Sequence, residues 1–199
     1  MSKIKICGLF RTEDVAVANL YKPDYIGFVF APSKRQVSFE QALEIKKALS
    51  DSIASVGVFV NAEIEEIIQC AEGGICDIIQ LHGEENEDYI TKLKSLIRIP
   101  VIKAVKVDCK EDILSKNSSA ADYLLLDNGH GGTGERFDWK LAKFCTKPYF
   151  LAGGIDPCNI DEALKLKPFC IDTSSGVETC GVKDADKIGA LVKAVRKFS

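Results

Sequence analysis

Histidine is scarce in this chain, and its scarcity argues against a metalloenzyme. Only His82 and His130 occur among the 199 residues, and no cluster of further metal ligands surrounds either of them. The eight cysteines include no Cys-x-x-Cys pair, and several lie within apolar runs, where a free thiol behaves as a small hydrophobic group. We therefore expect no metal site, and reduced thiols rather than disulfides.

Long apolar runs and a surplus of basic residues are also missing. No stretch approaches the roughly 20 apolar residues of a membrane-spanning helix, so we expect no contact with a membrane. The net charge is −3, with lysine and glutamate mixed along the chain, which leaves no basic patch for nucleic acid. The N-terminus enters a strand pattern directly, so we expect no signal peptide and a cytoplasmic location.

Short apolar runs alternate with longer amphipathic stretches throughout the chain. Most runs are rich in β-branched or aromatic residues, which is typical of strands buried on both faces. They lie at residues 3–7, 25–30, 54–60, 76–80, 101–105, 122–126, 149–152 and 169–172. Eight strand-then-helix units predict an α/β fold, a single-domain (β/α)8 TIM barrel with a parallel eight-stranded sheet over residues 1–199. A doubly wound sheet is the alternative, because sequence does not show closure.

Helix patterns fill the gaps between the runs. Ser38 begins a capping box with Gln41, and we expect Asn61 and Asp184 to cap the next helix and the last one. Weaker patterns lie near residues 12–21, 86–97, 111–117, 138–144 and 159–165. Of these, the helices at 111–117 and 138–144 are expected to be short.

Two residues that close predicted strands are candidates for acid–base chemistry. Cys7 ends the first run, and Asp127 ends the run Tyr123–Leu126. The carboxyl ends of barrel strands converge on one mouth, where a thiol and a carboxyl can serve as general base and general acid. The alternatives are an inert buried cysteine and an aspartate that only caps a loop.

Two late loops are suited to binding phosphate. Leu151–Ile155 follows the seventh strand and Asp172–Glu178 follows the eighth. Barrels often bind phosphate with backbone N–H groups of these two loops, and glycine allows close approach of the anion. The candidate substrate-binding residues here are Gly153, Gly154, Asp172, Ser174, Ser175 and Gly176. A tight turn without a ligand is the alternative for the two glycines of the first loop.

Three further segments follow predicted strands. Arg35 lies after the second strand and suits a bidentate grip on a carboxylate, although it can equally be a solvated surface residue. His82 ends the fourth strand and is either an acid–base or substrate-binding group or a polar loop residue. Gly131-Gly132-Thr133-Gly134 comes soon after Asp127, in a position where loops can close over substrate.

Together, these motifs resemble phosphoribosylanthranilate isomerase of tryptophan biosynthesis. They run in that family's order along nearly the whole chain. The matching segments are Lys5–Gly8, Gly27–Phe30 with Ser33–Arg35, Val58–Asn61, Gln80–Gly83, Leu126–Asp127, Gly131–Gly134, Phe137–Trp139, Leu151–Ile155 and Asp172–Glu178. Ile155, where leucine is frequent, and Thr173, at a variable position, are minor departures that touch neither the acid nor the base.

The resemblance implies a cofactor-free Amadori rearrangement of N-(5-phosphoribosyl)anthranilate to 1-(2-carboxyphenylamino)-1-deoxyribulose 5-phosphate, the third step of tryptophan synthesis from chorismate. It makes Asp127 the acid that protonates the furanose ring oxygen and Cys7 the base that removes the C2′ proton. Arg35 would hold the anthranilate carboxylate. We therefore expect a small phosphosugar substrate as the partner, and either a monomer or a homodimer.

Two other functions compete with this interpretation. A ribulose-phosphate epimerase shares the late glycine loops, but it needs a metal held by paired histidines and carboxylates, which two isolated histidines cannot supply. A non-catalytic sensor of a phosphorylated ligand would need the phosphate loops but not both Cys7 and Asp127. The presence of both residues favours catalysis.

Overall fold

Eight parallel strands form the centre of the molecule in the computed structural model, which describes residues 2–129 and 136–198. The strands are β1 Lys3–Cys7, β2 Tyr25–Val29, β3 Ala54–Phe59, β4 Ile78–Leu81, β5 Val101–Lys106, β6 Tyr123–Asp127, β7 Tyr149–Leu151 and β8 Cys170–Thr173. Each of the eight predicted runs contains or overlaps one of them. The fourth strand begins two residues later than expected, at Ile78.

The strands pair in chain order, and the last returns to the first. β8 pairs with β1 in a parallel register that sets Lys5 opposite Asp172. This pairing closes the sheet. The predicted barrel is therefore confirmed, and the doubly wound sheet is excluded because an open sheet leaves its edge strands unpaired.

Helices follow the strands and cover the outside of the barrel. The α-helices are α1 Thr12–Tyr21, α2 Phe39–Ala48, α3 Ile64–Glu72, α4 Glu87–Leu96, α5 Lys110–Lys116, α6 Ile160–Lys165 and α7 Ala185–Phe198. Residues Trp139–Phe144 form a 3₁₀ turn where a short helix was predicted. A second 3₁₀ turn, Ser175–Val177, precedes a hairpin of β9 Glu178–Thr179 and β10 Val182–Lys183.

The barrel interior is filled by side chains that alternate along the strands. A cluster of eight buried residues occupies it: Tyr25, Val56, Ile78, Ile102, Leu125, Phe150, Ala152 and Cys170. Because side chains two residues apart share one face of a strand, Asp127 continues the inward face of Leu125. Cys7 likewise continues the face of Lys5. The same alternation that builds the core therefore directs these polar groups into the mouth of the barrel.

The predicted helix caps have different outcomes. The capping box of Ser38 and Gln41 is confirmed, and Oδ1 of Asp184 accepts from the N–H groups of Asp186 and Lys187 at the start of α7. The prediction for Asn61 is wrong. Glu63 precedes α3 instead, and Oδ1 of Asn61 accepts from the backbone N–H of Glu84 at 2.7 Å, which joins two loops at the barrel mouth.

All eight cysteines lie among the described residues, and all are free thiols. No helix within residues 2–129 and 136–198 is both long and apolar enough to span a membrane.

Candidate active site

A cavity of about 210 Å³ lies at the carboxyl end of the barrel. Its walls come from the ends of β1, β2, β3, β4 and β6 and from the loops after β2, β7 and β8. All ten predicted site residues line it: Cys7, Arg35, His82, Asp127, Gly153, Gly154, Asp172, Ser174, Ser175 and Gly176. The parallel barrel brings them together because every strand ends at the same rim.

The Cys7 thiol lies next to buried positive charge. It is partly exposed at the end of β1. Burial raises the pKa of the Cys7 thiol, and the ammonium groups of Lys5 and Lys183 oppose that rise. Cys7 is therefore a neutral thiol at neutral pH, with two cations in place to stabilise the thiolate when it forms.

Lys5 lowers the pKa of Cys7 more than Lys183 does. The Lys5 side chain is held in place by Asp172. Nζ of Lys5 lies 3.0 Å and 3.1 Å from the two carboxylate oxygens of Asp172. Burial alone would lower the pKa of Lys5, but the Asp172 carboxylate and Cys7 hold it above its usual value. Lys5 therefore remains an ammonium beneath the cavity.

Asp127 faces His82 across the cavity. Oδ2 of Asp127 lies 3.6 Å from Nε2 of His82, and Oδ1 accepts from the N–H of Asn128 at 2.8 Å. On the far side of the ring, Nε2 of Gln80 lies 2.8 Å from Nδ1 of His82. With the Gln80 amide as donor, neutral His82 carries its proton on Nε2, on the side of Asp127.

The two late loops are joined to each other. Gly153 and Gly154 have φ angles of 84° and 68°, which glycine adopts without strain. The hydroxyl of Thr173 donates to the carbonyl of Ile155 at 2.7 Å. A Cβ at Gly176 would overlap that same carbonyl oxygen, so glycine is required where the loops meet. Backbone groups of both loops thus surround one end of the cavity.

Arg35 also lines the cavity, and it is held by a carboxylate that was not among the predicted site residues. Its guanidinium makes two hydrogen bonds to Glu178, at 2.7 Å and 2.8 Å. Glu178 also accepts from Lys183 at 2.7 Å. Arg35 is therefore neither a freely solvated side chain nor a bare cation.

Sequence reasoning missed four residues around the cavity: Lys5, Gln80, Glu178 and Lys183. The available signal was strongest for Lys5, a lysine inside a strand buried on both faces and two residues before Cys7. Gln80 stands in the same relation to His82. Nothing in the local sequence indicates the pairing of Glu178 with Arg35.

The remaining expectations are a loop at Gly131–Gly134 that can close over substrate and the lack of a metal site. The segment Gly131–Gly134 and His130 lie outside the described residues. Within the described part of the chain, no group of three or more histidine, cysteine, aspartate or glutamate residues is arranged to hold a metal ion.

Comparison of the sequence with models of known protein families identifies one family that matches this chain. A sequence model described as PRAI, N-(5'phosphoribosyl)anthranilate (PRA) isomerase, matches residues 4–194. The chain belongs to this family. It is therefore an isomerase, and the resemblance read from its motifs is confirmed.

Individual members of the family match this chain over its length. The N-(5'-phosphoribosyl)anthranilate isomerase of Endomicrobium trichonymphae is 50% identical over 203 residues, which cover 100% of each chain. The crystal structure of phosphoribosyl anthranilate isomerase from Thermus thermophilus has a TM-score of 0.90 and 35% identity, and the match covers 99% of this chain and 100% of that one.

A third relative is a phosphoribosyl anthranilate isomerase solved in complex with reduced 1-(o-carboxyphenylamino)-1-deoxyribulose 5-phosphate. It has a TM-score of 0.86 and 36% identity, and the match covers 99% of this chain and 100% of that one.

Proposed function

We propose that this isomerase converts N-(5′-phosphoribosyl)anthranilate to 1-(2-carboxyphenylamino)-1-deoxyribulose 5-phosphate in tryptophan biosynthesis, with Asp127 as general acid and Cys7 as general base. One observation carries the proposal. Cys7 and Asp127 line the same cavity, and that cavity is also lined by the glycine-rich pair of loops and by Arg35. The substrate has a phosphate at one end and a carboxylate at the other.

Asp127 supplies the first proton in this mechanism. It protonates the furanose ring oxygen, the bond between that oxygen and C1′ breaks, and the nitrogen lone pair forms a Schiff base at C1′. Asp127 is buried at the end of β6, and its carboxylate is oriented by the Asn128 N–H. His82 beside it stabilises the carboxylate that remains.

The thiolate form of Cys7, a minor fraction at neutral pH, then removes the proton from C2′ and becomes the neutral thiol. The protonated Schiff base makes this proton acidic, so a weak base suffices. The electron pair of the C2′–H bond forms a double bond to C1′, and the resulting enolamine tautomerises to the ketone. Lys5 assists by stabilising the thiolate, because an ammonium beside a thiol favours its ionised form.

The two ends of the substrate are held by different parts of the cavity. The loops containing Gly153, Gly154 and Ser174–Gly176 bind the phosphate through backbone N–H groups and serine hydroxyls. Arg35 binds the anthranilate carboxylate. Binding at both ends sets C2′ and the ring oxygen between Cys7 and Asp127, which lowers the entropic part of the barrier.

The proposal also covers domain organisation, location and assembly. Residues 1–199 act as one catalytic domain that needs no added cofactor and works in the cytoplasm as a monomer or homodimer.

A turnover assay tests the proposed function. Freshly made N-(5′-phosphoribosyl)anthranilate is mixed with the purified protein while the anthranilate-type fluorescence is followed, and the product is identified by NMR. We expect enzyme-dependent loss of fluorescence and the ketose signals of the product. Absence of turnover in protein that binds the reduced product would contradict the proposal.

A further inference from the structure

Arg35, the proposed carboxylate-binding residue, is itself held by a carboxylate of the chain. Its Nε donates to Oε1 of Glu178, and its Nη2 donates to Oε2. A guanidinium has five N–H donors in a fixed planar fork. Three donors remain, and two of them form the edge between Nη1 and Nη2. Because Arg35 lines the cavity, this edge can still bind a second carboxylate in a bidentate manner.

Glu178 is in turn held by Lys183. Nζ of Lys183 lies 2.7 Å from Oε1 of Glu178 and donates to the carbonyl oxygen of Ser174 at 3.1 Å. The Lys183 side chain is fully buried, and that of Glu178 is 6% exposed. Together with Arg35, these residues carry two positive charges and one negative charge. One positive charge is therefore left for an incoming anion.

A short hairpin places the two inner charges side by side. β9 and β10 pair with Glu178 opposite Lys183. The residues between them, Cys180 and Gly181, have φ angles of 52° and 80°, as a two-residue type I′ turn requires. The hairpin follows directly on the Ser174–Gly176 loop, so the position of Glu178 is fixed relative to that loop.

The stem of Arg35 is confined on its other side by the backbone. Gly8 has a φ of 79°, and a Cβ at this position would overlap Cδ of Arg35. The side chain thus lies between the loop after β1 and the carboxylate of Glu178. The Arg35 side chain is only 20% exposed. The guanidinium therefore has a defined orientation before any ligand binds.

We propose that Glu178 is a positioning residue for Arg35 and that Lys183 balances the negative charge of Glu178. Together, Glu178 and Lys183 make the site selective for substrates with an aromatic carboxylate. The inference rests on the proposed function, in which Arg35 binds that carboxylate. An arginine already held in its binding orientation loses little rotamer freedom when the ligand arrives. Without Lys183, the Glu178 carboxylate would cancel the charge of Arg35.

The test compares two ligands that differ in one group. They are reduced 1-(o-carboxyphenylamino)-1-deoxyribulose 5-phosphate and the same molecule without its carboxyl group. Calorimetry gives Kd for each, and the ratio of the two Kd values measures selectivity for the carboxylate. Wild type should prefer the carboxylated ligand, and Arg35→Met should lose this preference. The difference between these two Kd ratios is the full contribution of Arg35 to selectivity.

Glu178→Gln should lose at least about tenfold of this selectivity, roughly 1.4 kcal/mol, while Kd for the ligand without the carboxyl group stays within about twofold. Glu178→Asp keeps the charge and should lie nearer to wild type, and it decides the matter if Glu178→Gln does not fold. The matched control is Asp77→Asn. Asp77 lies at the amino end of the barrel and is paired with Lys46 and Ser55, so its loss should leave both Kd values unchanged.

A second pair of variants tests the charge balance. Lys183→Met should weaken binding of the carboxylated ligand, because Glu178 then neutralises Arg35. Adding Glu178→Gln to Lys183→Met should restore part of that affinity, since it removes the neutralising charge. A purely structural role would make the double variant weaker than either single one, and that result would overturn the inference.

The remaining outcomes separate the inference from the proposed function. If wild type binds both ligands equally, the carboxylate role of Arg35 fails and the inference fails with it. If wild type is selective and Glu178→Gln is equally selective, the inference alone is wrong. Equal weakening of both ligands in Glu178→Gln would also overturn it, because Glu178 would then support only the phosphate loops.

Discussion

Lys5 and Asp172 form an ion pair between the first and last strands of the barrel. They are register partners in β1 and β8, and Nζ of Lys5 lies within 3.1 Å of both carboxylate oxygens. The Lys5 side chain is fully buried and that of Asp172 is 8% exposed. The pair therefore lies at the strand junction that closes the barrel, directly beneath Cys7.

Replacing Lys5 should destabilise the fold strongly. Lys5→Met leaves the Asp172 carboxyl buried without its partner, and breaking a buried pair in this way typically costs about 3–5 kcal/mol. The control is Lys46→Met, which removes a more exposed lysine from its pair with Asp77 and should cost about 1 kcal/mol or less. Urea unfolding measures both. Equal stability of the two variants would contradict this account of the pair.

The same lysine should influence the pH dependence of catalysis. Burial raises the pKa of Cys7, and Lys5 opposes the rise, so the limb of kcat/KM that reports the thiolate should lie above the ordinary thiol value of ~8.5. Lys5→Met removes the larger of the two opposing charges. The limb should then move to higher pH, and activity at pH 7 should fall. An unmoved limb in folded Lys5→Met would show that Lys5 does not stabilise the thiolate.

The eight strand-then-helix units of the barrel could be predicted from sequence because their signals are local. Buried strands, helix patterns and the Ser38 capping box are each contained in a few consecutive residues. The motif order was also sufficient to collect Cys7, Asp127 and the late loops into one site. Closure was not predictable in this way, since it depends on the pairing of β1 with β8.

The features that sequence analysis missed depend instead on contacts between residues that are distant in the chain. Asn61 was expected to cap α3, but a backbone N–H of the next loop, at Glu84, competes for its side chain. Lys183 reads locally as a surface lysine in a polar turn, yet the hairpin turns it inward against Glu178. The bonds between Arg35 and Glu178 join residues 143 positions apart in the chain, which no local pattern shows.

The Glu178 carboxyl should make the protein sensitive to acid. Burial alone would raise its pKa, but Arg35 and Lys183 hold it below its usual value. The stability from this ionised group is therefore present above the ordinary glutamate pKa of ~4.3 and is lost as the pH falls through the lower folded value. Glu178→Gln should be less stable than wild type at pH 7, with the difference shrinking below about pH 4. A difference that is constant with pH would contradict this.

Sulfate should bind the late loops without the rest of the substrate. We expect competitive inhibition and a rise in Tm that grows with sulfate concentration, as linkage requires. Gly154→Val should weaken both effects, since a branched residue at a φ of 68° displaces the loop backbone. Gly74→Val imposes similar strain at a φ of 65°, remote from the cavity, and should keep both effects. Equal stabilisation by chloride at matched ionic strength would count against a phosphate site.

The assignment of Cys7 as base and Asp127 as acid is tested most directly by measuring kcat of Cys7→Ser and Asp127→Asn with N-(5′-phosphoribosyl)anthranilate, alongside Kd for the reduced product. Serine is a far poorer base than a thiolate, and asparagine cannot donate an acidic proton. We predict that each variant loses on the order of 10²-fold or more in kcat, while Kd changes only a few-fold. Near-wild-type kcat in either variant would contradict the role assigned to that residue, and in Asp127→Asn it would shift the acid role to His82.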